Sequence, residues 1–197
     1  MTPLFRYFLG FRVDPAAGAR IIAPFSPVPG GTFRPLELDK LHLTLCVIAE
    51  TPVPHVSIRD WLVQAFETGL PPASEIRFGR ILRRANGAEL VTTGSIAGIR
   101  RVYERIVALL DPLASRGIAP LHRTSGLRPH ITLGYGKCPL DRVPVVWHWM
   151  PRELVLIESL VGRGIHRVLQ SWMLEAPAQH CFGFLRDDQA RSRPRFP

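Results

Sequence analysis

Two stretches far apart in the chain carry the same arrangement of side chains: residues 41–45 read LHLTL and residues 129–133 read PHITL. Each sets a histidine and a threonine two residues apart, with aliphatic residues between and after them. Along an extended strand successive side chains alternate faces, so residues i and i+2 share a face about 6.6 Å apart. His42 and Thr44 then point to one side while Leu41, Leu43 and Leu45 point to the other, into a core. His130 and Thr132 repeat this, backed by Ile131 and Leu133. An imidazole titrates ordinarily at about pH 6.5, so at neutral pH one histidine can act as a base while the other, held beside an anion, acts as an acid. The two hydroxyls supply hydrogen bonds to anionic oxygens. Such a four-point site meets the requirement of in-line attack on a phosphodiester without a metal.

One His-x-Thr on a strand is ordinarily a structural histidine satisfied by a nearby carbonyl. A duplicate in matching context points to chemistry. The remaining histidines, His55, His122, His148, His166 and His180, show neither HExxH nor His-x-His spacing. They read as surface or structural residues, and no metal site is expected. His122 with Arg123 stands just upstream of the second motif, where it could border the site or belong to a solvated loop. Trp61, Phe66 and Tyr103 fall at helical spacing and read as core. Tyr7, Phe11 and Tyr135 are candidates to stack on a nucleobase, since RNA recognition commonly uses such rings. The arginines of RILRR and IRRVYER would form either a groove wall for an RNA backbone or charged solvated faces.

The chain that must position these groups has 197 residues, 46% of them hydrophobic. That suits one domain, single or bilobed, with a substantial core. Arg6 and Arg12 interrupt the apolar N-terminus, and no later run approaches the roughly 20 apolar residues of a membrane span, so a cytoplasmic protein is expected. Cys46, Cys138 and Cys181 are odd in number and lack paired spacing, which reads as reduced thiols rather than disulfides or a zinc site. The net charge is +9, and Lys40 and Lys137 are the only lysines, so the positive charge is almost all arginine. The planar guanidinium fork matches phosphate oxygens, which fits an anionic, phosphate-bearing partner, and arginines that only solvate the surface are the equal alternative.

Patterning predicts the elements in order. A strand spans Phe5 to Phe11, followed by a Pro/Gly-rich loop from Asp14 to Pro35 with at most a short strand around Arg20 to Ala23. A strand carries LHLTLCVIA. A helix begins at Ser57, with Asp60 at the capping-box position and Ile58, Trp61, Leu62, Ala65 and Phe66 on one face. EIRFGRILRR and AELVTTGSI form a hairpin joined through ANG. A second helix runs from about Ile99 to Ser115, kinked or shortened at Pro112. LRPHITLGYG is a strand, followed by a Pro-containing link, then ELVLIESLV and IHRVLQSWMLEA as strands. Residues 1–186 are read as one domain, and 187–197 as a polar, disordered tail. The order is α+β, with one HxTL strand in each half.

LHLTL and RPHITLGYG resemble the paired HxTx signatures of the 2H phosphoesterase superfamily, and in particular its bacterial branch of 2'-5' RNA ligases, also called RNA 2',3'-cyclic phosphodiesterases. The early FRYFLGF strand and the late LVLIESLVGRGIHRVLQSWML hairpin are similar to that branch as well, so the likeness covers most of the chain. It implies a bilobed α+β fold with two antiparallel sheets and flanking helices, related by a pseudo-twofold, and an active site in the cleft between lobes. It implies His42 and His130 as the catalytic pair, Thr44 and Thr132 as donors to phosphate oxygens, and Arg128 near the phosphate. The substrate implied is RNA or a nucleotide ending in a 2',3'-cyclic phosphate, handled by a monomer without metal or cofactor. Small cyclic nucleotides, an ADP-ribose derivative, or RNA binding at a vestigial site are the alternatives. Three features depart from the branch: the long Asp14–Pro35 segment, Tyr135 where a basic residue is common, and His166 where an aromatic is common.

Overall fold

The structure, a computed structural model, describes residues 3–25, 32–121, 127–138 and 142–176. Its strands are β1 (Phe5–Arg12), β2 (Arg34–Pro35), β3 (His42–Thr51), β4 (Ile76–Arg84), β5 (Gly87–Thr92), β6 (His130–Tyr135), β7 (Arg142–Trp149), β8 (Glu153–Leu160) and β9 (Ile165–Met173). Helices α1 (Pro15–Ile22), α2 (Ile58–Phe66) and α3 (Ala97–Leu110) pack on them.

The strands pair antiparallel in the order β7-β4-β5-β6-β3-β1-β8-β9, with β2 added beside β6. The fold is thus α+β, and each half of the sheet is a four-stranded antiparallel unit. β7-β4-β5-β6 forms one half, and β3-β1-β8-β9 the other. They meet edge to edge at the register pair Leu43↔Ile131, which turns the two expected sheets into one continuous sheet. The residues of this seam are the middle residues of the two HxTL motifs.

One face of the sheet is the core. Leu41, Leu43, Leu45, Ile131 and Leu133 are buried there with Leu9, Phe11, Phe78 and Leu90. Helices α2 and α3 cover this layer with Ile58, Leu62, Phe66, Ile99, Val102 and Ile106. Trp61 and Ala65 of the predicted α2 face are only partly buried against it. Residues 58–66 are helical as the spacing predicts, but Ser57 sits at φ −97, ψ −4 and makes no side-chain cap. An N-cap hydroxyl reaches the first-turn N–H groups from extended backbone, so the expected capping box with Asp60 does not form. The second helix ends at Leu110 and tightens into a 3-10 turn over Asp111–Arg116 with Pro112 near its start. Pro112 lacks the N–H that would continue the α-helical ladder.

Two expectations are corrected. The Asp14–Pro35 segment contains α1 rather than a loop with a short strand: Asp14 accepts from Ala17 N at 2.9 Å and Pro15 fills the first turn. Pro at that position is preset for a helix and gives up only an unneeded donor. The Pro-containing link before ELVLIESLV contains β7, whose Val143, Val145 and Trp147 alternate with exposed neighbours. β7 is the sheet edge, where Pro144 costs no essential ladder bond. Cys46 and Cys138 are buried and unpaired, with the Cys46 thiol pushed up to about 12 by burial. Cys181, His122, Arg123, His180 and the tail at 187–197 lie outside the described residues. Among the described residues no helix is long and apolar enough to cross a membrane.

Candidate active site

The seam between β3 and β6 determines where the two motifs stand. Leu43 and Ile131 are fully buried on the core face, and alternation places His42, Thr44, His130 and Thr132 on the other. Carried one residue either way, the antiparallel register sets His42 opposite Thr132 and Thr44 opposite His130. Each threonine therefore faces the histidine of the other motif, and the two imidazoles lie diagonally across the seam. In β1, Gly10 pairs with Thr44, and a Cβ there would come within 2.7 Å of the Leu43 carbonyl oxygen. The missing side chain lets β1 lie tightly against the motif strand.

Both histidines are held alike. His42 Nδ1 lies 2.8 Å from Lys40 O, and His130 Nδ1 lies 2.9 Å from Arg128 O. A carbonyl only accepts, so each Nδ1 carries the proton and donates it. In the neutral ring Nε2 is then the free acceptor, the tautomer a base requires.

Their surroundings differ. The ring of His42 packs 4.9 Å from Phe8 and 5.5 Å from His166, centroid to centroid. Burial in this cluster lowers its pKa to about 4, with the bond to Lys40 opposing and His166 and His130 adding to the shift. His130 instead meets a carboxylate, with Glu89 Oε1 3.7 Å from its Nε2. Glu89 Oε2 also accepts from Arg84 Nε at 2.7 Å and from Arg128 at 2.9 Å. Glu89 is the cross-strand partner of Thr132 on β5, so this network borders the second motif directly.

A cavity of about 540 Å³ opens beside the motifs, lined by His42, Thr44 and Thr132 together with Arg6, Phe8 and Leu36, the tip of the β8–β9 hairpin, and His166. Tyr135 lines it too and is 58% exposed, leaving its ring open to stacking. Arg128 stands next to His130, bound to Glu89.

Phe11 is not at the site. It is 1% exposed, on the core face of β1 and edge-on to Trp149, so no base can stack on it. Tyr7 is likewise buried, its hydroxyl donating to Glu158 Oε2 at 2.8 Å and accepting from His55 N at 2.7 Å. The alternation of β1 puts Phe8, rather than Tyr7 or Phe11, beside His42.

Three residues at the site go beyond what the sequence predicts. Phe8 is accessible from strand parity, since it pairs with Val47 on the cavity side. His166 reads in sequence as surface or structural, yet it lines the cavity, with Nδ1 buried and without a hydrogen-bond partner among the described residues. Burial also lowers its pKa, with Lys40 contributing. Glu89 carries no local signal, because its role depends on β5 pairing with β6. Among the described residues no group of three or more His, Cys, Asp or Glu side chains is arranged to hold a metal ion.

No family model and no curated protein matches the sequence. Solved structures do match. TT0787 of Thermus thermophilus aligns with a TM-score of 0.64 and 21% identity, over 87% of this chain and 98% of that one. Escherichia coli LigT complexed with 3'-AMP aligns with a TM-score of 0.63 and 21% identity, over 87% and 98%. The MHV ns2 PDE domain aligns with a TM-score of 0.53 and 12% identity, over 78% and 99%. LigT has also been crystallised with ATP, with phosphate and with NADP+. The chain therefore has the fold of these proteins.

Proposed function

We propose that the protein is a phosphoesterase that hydrolyses 2',3'-cyclic phosphate ends of RNA to 2'-phosphates without a metal, with His42, Thr44, His130 and Thr132 as its catalytic residues. The observation that carries this reading is the pairing of the two motifs at Leu43↔Ile131, which gathers both His/Thr pairs on one face of the sheet, where His42, Thr44 and Thr132 line a cavity that His130 does not itself line.

In-line displacement needs a base behind the phosphorus on one side and an acid at the departing oxygen on the other. Two imidazoles set diagonally across a seam meet that need, and two threonine hydroxyls between them reach the nonbridging oxygens. The asymmetry between the histidines supports a division of roles. His42, neutral down to about pH 4, is the base, and its free Nε2 takes a proton from water. The water oxygen bonds to phosphorus, and the P–O3' bond breaks. His130, whose proton has the Glu89 carboxylate as counter-charge, gives that proton to O3'. The product carries a 2'-phosphate and a 3'-hydroxyl. Run backwards with a 5'-hydroxyl in place of water, the same site would form a 2'-5' linkage.

The cavity volume falls within the range of small-ligand pockets, about 300–1,000 Å³, so it suits one terminal nucleotide with its base against Tyr135. Nucleotides bound to LigT, 3'-AMP among them, support a nucleotide ligand. The surplus of arginine suits the RNA strand that precedes the terminal nucleotide. Small cyclic nucleotides are the second reading, favoured by the size of the cavity. A panel of 2',3'-cyclic-ended RNA, 2',3'-cyclic mononucleotides and 3',5'-cyclic mononucleotides tests both. Faster turnover of cyclic-ended RNA is expected, and turnover of mononucleotides alone would select the second reading.

A further inference from the structure

Glu89 places a carboxylate at the proposed phosphate site, where an anion is otherwise unwelcome. It is not exposed to bulk water as a surface acid would be: its side chain is 17% accessible and is held by Arg84 and Arg128. Its other oxygen faces His130 Nε2 at 3.7 Å, the nitrogen that donates to the departing oxygen. Any ligand oxygen within hydrogen-bond distance of that nitrogen, about 2.8 Å, lies within about 6.5 Å of the carboxylate oxygen. At such a distance in a partly enclosed site, each added unit of ligand charge meets appreciable repulsion.

We infer that Glu89 is a specificity-determining residue that discriminates between phosphate esters by charge, admitting the monoanionic cyclic phosphodiester and expelling the dianionic monoester formed from it. This rests on the phosphodiesterase reading above and deepens it. The cyclic diester carries one negative charge, whereas a phosphomonoester carries about −1.5 to −2 at pH 7. Arg84 and Arg128 hold the carboxylate and offset its charge, so the site still attracts a monoanion. Hydrolysis leaves a neutral 3'-hydroxyl beside His130 and adds the second charge to the phosphoryl group, which stays close enough to Glu89 to be repelled, and this speeds product release. A purely structural role for Glu89, as an anchor for Arg128, would change the affinities for both esters together and not their ratio.

The test compares the full-length wild type with Glu89→Gln, which keeps size and hydrogen-bonding capacity but removes the charge. Calorimetric titration gives the affinity for adenosine 2'-monophosphate, and initial rates give KM for adenosine 2',3'-cyclic phosphate, both at pH 7. Glu89→Gln is expected to tighten 2'-monophosphate binding by about tenfold relative to any change in KM, with stronger product inhibition. An unchanged ratio, or equal losses for both ligands, overturns the inference while leaving the phosphodiesterase reading intact. Wild type that binds the monophosphate but hydrolyses no cyclic phosphate overturns that reading instead, and wild type that does neither overturns both. If Glu89→Gln does not fold, Arg84→Gln leaves the carboxylate with one counter-charge fewer. The ratio must then move the other way, with the monophosphate bound more weakly, and a ratio equal to that of the wild type rejects the inference.

Discussion

The two histidines have the same sequence context and the same carbonyl bond, yet their surroundings separate them. His42 is enclosed by Phe8 and His166, and His130 faces Glu89. If His42 is the base, the acid limb of kcat/KM breaks near pH 4 rather than near 6.5, because only the neutral ring can accept a proton. A rate profile taken from pH 3.5 to 8 checks this, and an acid limb that breaks at about 6.5 would return the base to an exposed imidazole. The same burial affects stability. The unfolded chain takes up a proton on His42 at about pH 6.5 and the native state only at about 4. The native form's full advantage is therefore present above pH 6.5 and is lost as pH falls towards 4, by an amount on the order of 3 kcal/mol. Denaturant unfolding of His42→Gln should show a flatter dependence over that window. Thr44→Val or Thr132→Val should each lower kcat by about 100-fold, as removal of one donor to a developing charge does elsewhere. Steady-state rates on a cyclic substrate measure this. The four motif residues are legible in the sequence because their spacing matches strand parity. His166 and Glu89 are not, because neither belongs to a local pattern and both arrive by pairing with distant strands.

Elements with strong periodicity are readable from the sequence and weakly patterned ones are not. α2 and α3 show their apolar stripes in sequence, and β1, β3, β6, β8 and β9 fall where runs of aliphatic residues predict them. α1 is hidden because alanine, glycine and proline make up five of its eight residues, and its one clear signal is the Asp14-Pro15 start. β7 is hidden by Pro144, which argues against a strand unless the strand lies at an edge. The hairpin between β4 and β5 pairs Arg84 with Gly87, so the turn residues are Ala85 and Asn86 and the glycine lies in β5. A Cβ at Gly87 would lie 2.3 Å from Gly134 O, a backbone atom of β6 that cannot step aside alone. Gly87→Ala should thus push β5 from β6 and destabilise the fold by about 1–3 kcal/mol, as overpacking does. Chemical denaturation should show this loss, with a fall in turnover, since β6 carries His130 and Thr132.

For the molecule as a whole, the proposed active site depends on a contact the sequence does not announce: β3 and β6, 88 positions apart by the pair Leu43↔Ile131, must meet edge to edge. Duplicate motifs imply that two strands converge, but the order β7-β4-β5-β6-β3-β1-β8-β9 is a property of long-range packing. The net charge of +9 also acts at this scale. Raising salt from about 50 to 200 mM should lower kcat/KM for a cyclic-ended RNA oligomer far more than for a cyclic mononucleotide, since each phosphate contact along a strand releases counterions. Equal salt dependence would confine the ligand to the cavity. The proposed reaction is two-histidine hydrolysis that leaves a 2'-phosphate. Its most direct test is phosphorus NMR of a 2',3'-cyclic-ended RNA treated with wild type, His42→Ala or His130→Ala in the presence of EDTA. Wild type should convert the cyclic signal entirely to 2'-monoester, and each variant should lose activity by at least about 100-fold while remaining folded. A 3'-monoester as the product, or undiminished conversion by either variant, would contradict it.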